Sequence, residues 1–167
     1  YNHLDLRKEL RQEGWRGHSD TETLLAACHA WGIQETLRRA TGMFAFALWD
    51  RHDRSLTLAR DRFGEKPLFY GWQGSSFLFG SELKALAAHP TWRGEVDRDA
   101  LALFMRYGYV PAPLSIWKGI AKLPPGSLLN LPRDVPVGAL PEPAIYWRAM
   151  DAANVTVALQ KPACAKP

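Results

Sequence analysis

The sequence predicts a layered α+β fold built around an antiparallel sheet, and three observations predict it. Amphipathic helical segments lie on both sides of a block of short strands. The strands follow one another through short polar turns, which makes hairpins and therefore antiparallel pairing. The segment Met43-Phe44-Ala45-Phe46-Ala47-Leu48-Trp49 is apolar at both parities, so a covering layer is expected on each of its faces, as for a central strand.

The elements follow in order. Ser19-Asp20-Thr21-Glu22 has the form of a capping box. Ser19 is expected to cap the amide of Glu22, and the Glu22 side chain to return to the Ser19 amide. The helix runs to about Trp31 with Leu24, Leu25, Cys28 and Trp31 at helical spacing, and Gly32 supplies its stop. A short helix near Gln34 to Arg39 follows, then the apolar strand. Asp50 to Arg54 is a polar turn, and Ser55 to Ala59 alternates as the returning strand. Leu68-Phe69-Tyr70 and Phe77-Leu78-Phe79 form a second hairpin about the turn Gln73 to Ser76. Ser81 is placed to cap a short helix over Glu82 to Ala88, which Pro90 stops. Asp97 is placed to cap another through about Tyr107, with Leu101, Phe104 and Met105 on one side. Eight prolines between Pro111 and Pro143 then predict a loop-rich segment with short extended pieces.

Composition excludes several classes. The chain has 167 residues, enough for one domain with a real core. It is 47% hydrophobic and 23% charged, which is ordinary globular usage. No apolar run approaches the ~20 residues of a membrane helix, so no membrane role is expected. The net charge of +4 is dispersed, with acids such as Glu35, Asp50 and Asp53 interleaved, and no basic stripe marks a nucleic-acid partner. Cys28 and Cys164 have neither metal nor disulfide spacing, so no metal site is expected and a reducing, cytoplasmic compartment fits best. Cys28, on an apolar helical stripe, reads as a structural thiol. The chain opens Tyr1-Asn2-His3-Leu4 with neither an initiator Met nor a signal-peptide pattern, and is expected to be a piece of a longer enzyme.

Several stretches then sit together in one order. They are Tyr1-Asn2-His3, Gly17 to Glu22, Gly42 to Asp50, Ala59-Arg60-Asp61-Arg62-Phe63-Gly64-Glu65-Lys66-Pro67-Leu68, and Gly80-Ser81-Glu82-Leu83-Lys84-Ala85-Leu86. Gly108 to Pro113 and Lys122-Leu123-Pro124-Pro125-Gly126 complete the set. From Tyr1 to about Trp147 the chain resembles the glutamine-hydrolysing domain of the asparagine synthetase family. The resemblance implies a class II glutamine amidotransferase with an N-terminal-nucleophile hydrolase fold, a four-layer αββα sandwich, here incomplete at its N-terminus. It implies that residues 1–131 form the glutaminase domain, that 132–149 are a Pro-rich linker toward a synthetase domain, and that 150–167 are an unassigned, weakly ordered tail.

The resemblance also implies a reaction in two halves. Glutamine yields ammonia, and a synthetase domain of the same chain uses ATP and magnesium to activate aspartate, which ammonia then amidates. Relatives amidating other carboxylates share these motifs, and a non-enzymatic binding fragment is a further alternative. The family nucleophile is a Cys at the first position; Tyr1 stands first here, so no catalytic residue is assigned and the chain alone is expected to be inactive. The Asn-Gly oxyanion donors, the Arg that grips the glutamine carboxylate, and the pyrophosphate loop have no match in this sequence. No cofactor is expected in this chain itself. The substrate-binding candidates are Asp20, implied to hold the α-ammonium of glutamine, and Asn2, which equally fits a turn-shaping role. Arg60-Asp61-Arg62 reads as a charged strand end, and Lys66 and Lys84 as solvated side chains. A homodimer is compatible with all of this.

Overall fold

The computed structural model describes residues 2–10 and 14–151. Tyr1, Cys164 and nearly all of the expected tail (152–167) lie outside the described residues. In chain order the elements are α1 (His3–Leu10), α2 (Asp20–Trp31), α3 (Ile33–Arg39), β1 (Ala45–Asp50), β2 (Ser55–Arg60), β3 (Phe69–Gln73), β4 (Ser76–Gly80), α4 (Leu83–Ala87), α5 (Arg98–Tyr107), β5 (Ile120–Lys122), β6 (Ser127–Leu131) and β7 (Ala144–Ile145).

The described residues form two antiparallel sheets. The first has the order β1-β2-β6-β7 and the second β4-β3-β5. Side-chain parity decides what each sheet faces, because successive residues of a strand point to opposite sides. On β2 and β6, Leu58 and Leu129 point to the second sheet and meet Leu68, Tyr70 and Leu123. Ala59 and Leu128, one residue along, point the other way and meet Leu37 of α3. On the second sheet Leu78 and Ile120 pack outward on Leu86 of α4. Helices, sheet, sheet and helix are thus four layers, and the α+β class and αββα order follow from these three clusters.

The inter-sheet cluster holds the sandwich together, and Leu129 at its centre is 0% exposed. Leu129→Ala is expected to cost about 2–5 kcal/mol, the usual range for a truncated core leucine. Urea unfolding with an unchanged slope measures it.

Local signals set most helix ends. The Asp97 carboxylate accepts from the amides of Asp99 (2.9 Å) and Ala100 (3.1 Å) and starts α5. Gly32, at φ 79°, ends α2 with its amide on the Cys28 carbonyl. Other expectations need correction. Ser19 does cap α2, but through the amide of Thr21 (3.1 Å). The Glu22 carboxylate turns away to the amides of Arg16 (2.9 Å) and Gly17 (3.0 Å), so the box does not close. Ser81 caps nothing: Glu82 is the residue before α4, and no side-chain bond caps that helix. Among the described residues β1 lies at the edge of its sheet and not at its centre. Phe46 faces the helical layer and Ala45 the second sheet, but Ala47 and Trp49 are exposed. Leu101, Phe104 and Met105 of α5 are likewise exposed, and Ala100 alone of that helix is buried. Part of the expected linker over 132–149 is docked, because β7 pairs with β6 and the Tyr146 hydroxyl donates to the Arg60 carbonyl (2.9 Å). α1 was not expected; it buries Leu6 and supplies Arg7.

Candidate functional site

A cleft of about 470 Å³ opens between α2 and β1. Its walls are chiefly apolar, with Leu24, Phe44 and Phe46 among them. Asp20, Lys66 and Ser81 bring charge and a hydroxyl into it. This is the usual make-up of a small-molecule site, a mainly apolar concavity with a few placed polar groups. The strand registers explain the convergence. Ala45 pairs with Arg60, and Phe69 with Gly80, so β1 starts, β2 ends, β3 starts and β4 ends within the motif loops that line the cleft.

Asp20 is the first residue of α2, half-buried at the cleft. A carboxylate there is favoured by the positive end of the helix. Among the described residues its side chain meets only the Thr21 hydroxyl, at 3.5 Å. Its turn is held from α1 by Arg7. That guanidinium donates to the Thr23 hydroxyl (2.7 Å) and to the carbonyls of Gly17 (2.8 Å) and Ser19 (3.0 Å), and lies over the Trp15 ring. The amide of Arg16, then that of Gly17 and the Arg7 charge, hold the Glu22 carboxyl below the usual carboxylate range against some desolvation. The residue pattern around Arg7 marks no such role. Its signal is positional, and it needed the unexpected α1.

Asn2 does not line the cleft. Its amide group donates to the Arg39 carbonyl (2.9 Å) and accepts from the Thr41 amide (2.9 Å), which spends it on the loop after α3. Both bonds are of the turn-shaping kind. Cys28 lines the cleft, but burial pushes its thiol up, with the Thr36 side chain only partly opposing. A thiol held protonated is a poor nucleophile.

The Arg60-Asp61-Arg62 stretch is more than a charged strand end. Asp61 is 1% exposed. Its carboxylate accepts from the amides of Phe63 (3.1 Å), Glu65 (3.0 Å) and Lys66 (3.0 Å). The Arg60 guanidinium donates to the carbonyls of Lys66 (2.7 Å), Leu123 (2.7 Å) and Gly64. Burial lowers its pKa and the Asp61 charge partly opposes that. Lys84 is exposed and paired with Glu82 (2.8 Å), away from the cleft. Among the described residues no cluster of three or more His, Cys, Asp or Glu could hold a metal, and no helix is long and apolar enough to cross a membrane.

A family model described as a glutamine amidotransferase domain matches residues 1–138. Two curated relatives are asparagine synthetases (glutamine-hydrolysing) of Bacillus subtilis strain 168. Number 3 is 44% identical over 137 residues, which is 80% of this chain and 22% of that protein. Number 1 is 37% identical over 135 residues, 80% of this chain and 21% of that protein. The chain thus spans about a fifth of the length of these relatives. Among solved structures, the glutamine phosphoribosylpyrophosphate amidotransferase of B. subtilis, complexed with ADP and GMP, superposes with a TM-score of 0.55. It is 19% identical, and the match covers 87% of this chain and 27% of that one, a likeness of fold.

Proposed function

Because the chain belongs to the glutamine amidotransferase domain family, we propose that its cleft receives glutamine and that Asp20 binds the α-ammonium. One observation carries the reading: a half-buried carboxylate without an ion pair among the described residues, fixed by α2 and Arg7 at the mouth of an apolar cleft. A fixed anion recognises an ammonium through a charge-assisted hydrogen bond, and the apolar walls suit the methylenes of the side chain. The likeness to asparagine synthetases supports a further step. In the complete protein, hydrolysis of glutamine supplies ammonia to a synthetase domain of the same chain. That domain activates aspartate with ATP and magnesium. Such an enzyme belongs in the cytoplasm, where both amino acids and ATP are at hand.

Titrating the ¹⁵N-labelled chain with L-glutamine tests the site. The expected result is saturable, millimolar shifts confined to residues around the cleft. Asp20→Asn should weaken binding about 10- to 100-fold, since a hydrogen bond to a charged group contributes about 1.5–3 kcal/mol. Equal binding by wild type and variant would sink the assignment of Asp20. For the complete protein the assay is ammonia release together with aspartate-dependent AMP formation, and ammonia without asparagine would overturn the acceptor.

A further inference from the structure

Asp20 holds its charge at the weakest place of its helix. The first turn of a helix has amides without intrahelical acceptors, and helices fray there. What fixes this turn comes largely from outside α2. The Arg7 side chain of α1 is only 12% exposed. Its guanidinium is a rigid fork of donors, and Nε, Nη1 and Nη2 reach three acceptors. These are the Thr23 hydroxyl (2.7 Å) and the carbonyls of Gly17 (2.8 Å) and Ser19 (3.0 Å), which lie on both sides of Asp20 in the chain. Glu22 closes the grip. Its carboxylate accepts from the Gly17 amide (3.0 Å) and lies 3.5 Å from Arg7, so one ion pair holds both polar groups of Gly17.

The start of α1 is tied toward the opposite wall of the cleft. Asn2, the residue before α1, bonds through its side chain to the Arg39 carbonyl (2.9 Å) and the Thr41 amide (2.9 Å). Its own backbone amide donates to the Thr41 carbonyl (3.3 Å). Glu9, near the other end of α1, pairs with Arg39 (3.1 Å). Thr41 and Gly42 lead directly into Met43 and Phe44, which line the cleft on the β1 side. α1 lends no side chain to the cleft, yet it is bonded to both segments that carry the walls.

We propose that α1 is the brace that fixes the two walls of the cleft relative to one another, with Arg7 the positioning residue for Asp20 and Asn2 the positioning residue for the segment entering β1. The inference rests on the reading of the cleft as a glutamine site. Arg7 acts through Asp20: an anion already ordered when the protein folds binds an ammonium without a further ordering cost.

Titrating L-glutamine into the labelled 167-residue chain and its variants tests this. Arg7→Met should weaken binding about 10-fold, and Arg7→Lys, which keeps the charge but not the fork, by less. On an Asp20→Asn background, Arg7→Met should add little, because nothing remains for Arg7 to position. Asn2→Ala should weaken binding about 3-fold and add to Asp20→Asn, since it acts on the other wall. Leu129→Ala, which destabilises the sandwich from between the sheets, is the control and should leave glutamine affinity unchanged. Should Arg7→Met fail to fold, Arg7→Lys carries the same cycle. If Arg7→Met leaves binding unchanged while Asp20→Asn weakens it, the brace is overturned and the glutamine site stands. If Arg7→Met costs as much on the Asp20→Asn background as on the wild type, or Leu129→Ala costs as much as Arg7→Met, the role of Arg7 is overturned as well. If the wild type does not bind glutamine, the brace and the site both fall.

Discussion

Gly71→Ala is expected to cost about 3–5 kcal/mol, a large share of the ~5–15 kcal/mol that stabilises a typical domain. Gly71 lies in β3 opposite Ile120 of β5. A Cβ there would stand 1.9 Å from the Gly119 carbonyl oxygen and 2.9 Å from its carbon. Those are backbone atoms, so no rotamer change relieves the contact. The strands must separate, and β5 carries Ile120, part of the cluster beneath α4. The φ of Gly71, 154°, adds strain for any residue with a side chain. Gly74→Ala is the internal control. It shares a positive φ (61°), but its Cβ would meet nothing nearer than 4.0 Å, so about 1 kcal/mol is expected. Thermal unfolding separates the two, since each kcal/mol moves the midpoint by about 2–4 °C in a domain of this size. Equal midpoints for the two variants would show that β3 and β5 are not packed backbone to backbone.

Asp61→Ala is the second substitution expected to have a large effect, at about 3–5 kcal/mol. Three loop amides lose their acceptor together, and each buried donor left unpaired costs about 1–3 kcal/mol before the loop relaxes. The substitution also removes the negative charge beside the half-buried Arg60 guanidinium. Asp61→Asn should cost roughly half as much. One amide oxygen can still serve Phe63 and Glu65, but the NH₂ then faces the Lys66 amide, donor against donor. Urea unfolding of both variants measures this, and a loss under 1 kcal/mol for Asp61→Ala would mean that water replaces the carboxylate with little penalty. Loop geometry reads out separately, because the amide signals of Phe63, Glu65 and Lys66 should shift far more than those of the distant β7.

These substitutions mark where reading by residue pattern succeeds and where it stops. Asp97 and Gly32 were legible because a cap is made within a few residues of chain, and so was the strand β2, although both of its faces are buried at Thr57, Leu58 and Ala59. The motif stretch that includes Asp20 was legible as a resemblance. Asn2 was open to two readings because an amide serves a ligand or a turn, and its bonds to Arg39 and Thr41 depend on positions far along the chain. The capping box at Ser19 failed for a similar reason. The Glu22 carboxylate had rival donors in Arg16 and Gly17, brought within reach where Arg7 pins the chain. Lys66 is exposed, as its residue type suggests, but the hold of Asp61 and Arg60 on its backbone leaves no mark in the residue pattern.

By itself, then, the sequence determined the α+β class, the hairpins, most helix ends and membership of the amidotransferase family, because periodicity, caps and motif spacing act over short stretches of chain. The tertiary structure alone decided that β1 lies at the edge of its sheet among the described residues, which side chains fill the space between the sheets, and that the cleft joins Asp20 to Lys66 and Ser81. Both parities of β1 are apolar whether the strand is central or at an edge. Its place depends on whether a distant strand pairs along its other side, and among the described residues none does. Pairing between segments so far apart in the chain is settled by burial of the whole core and leaves no mark on any single one of them.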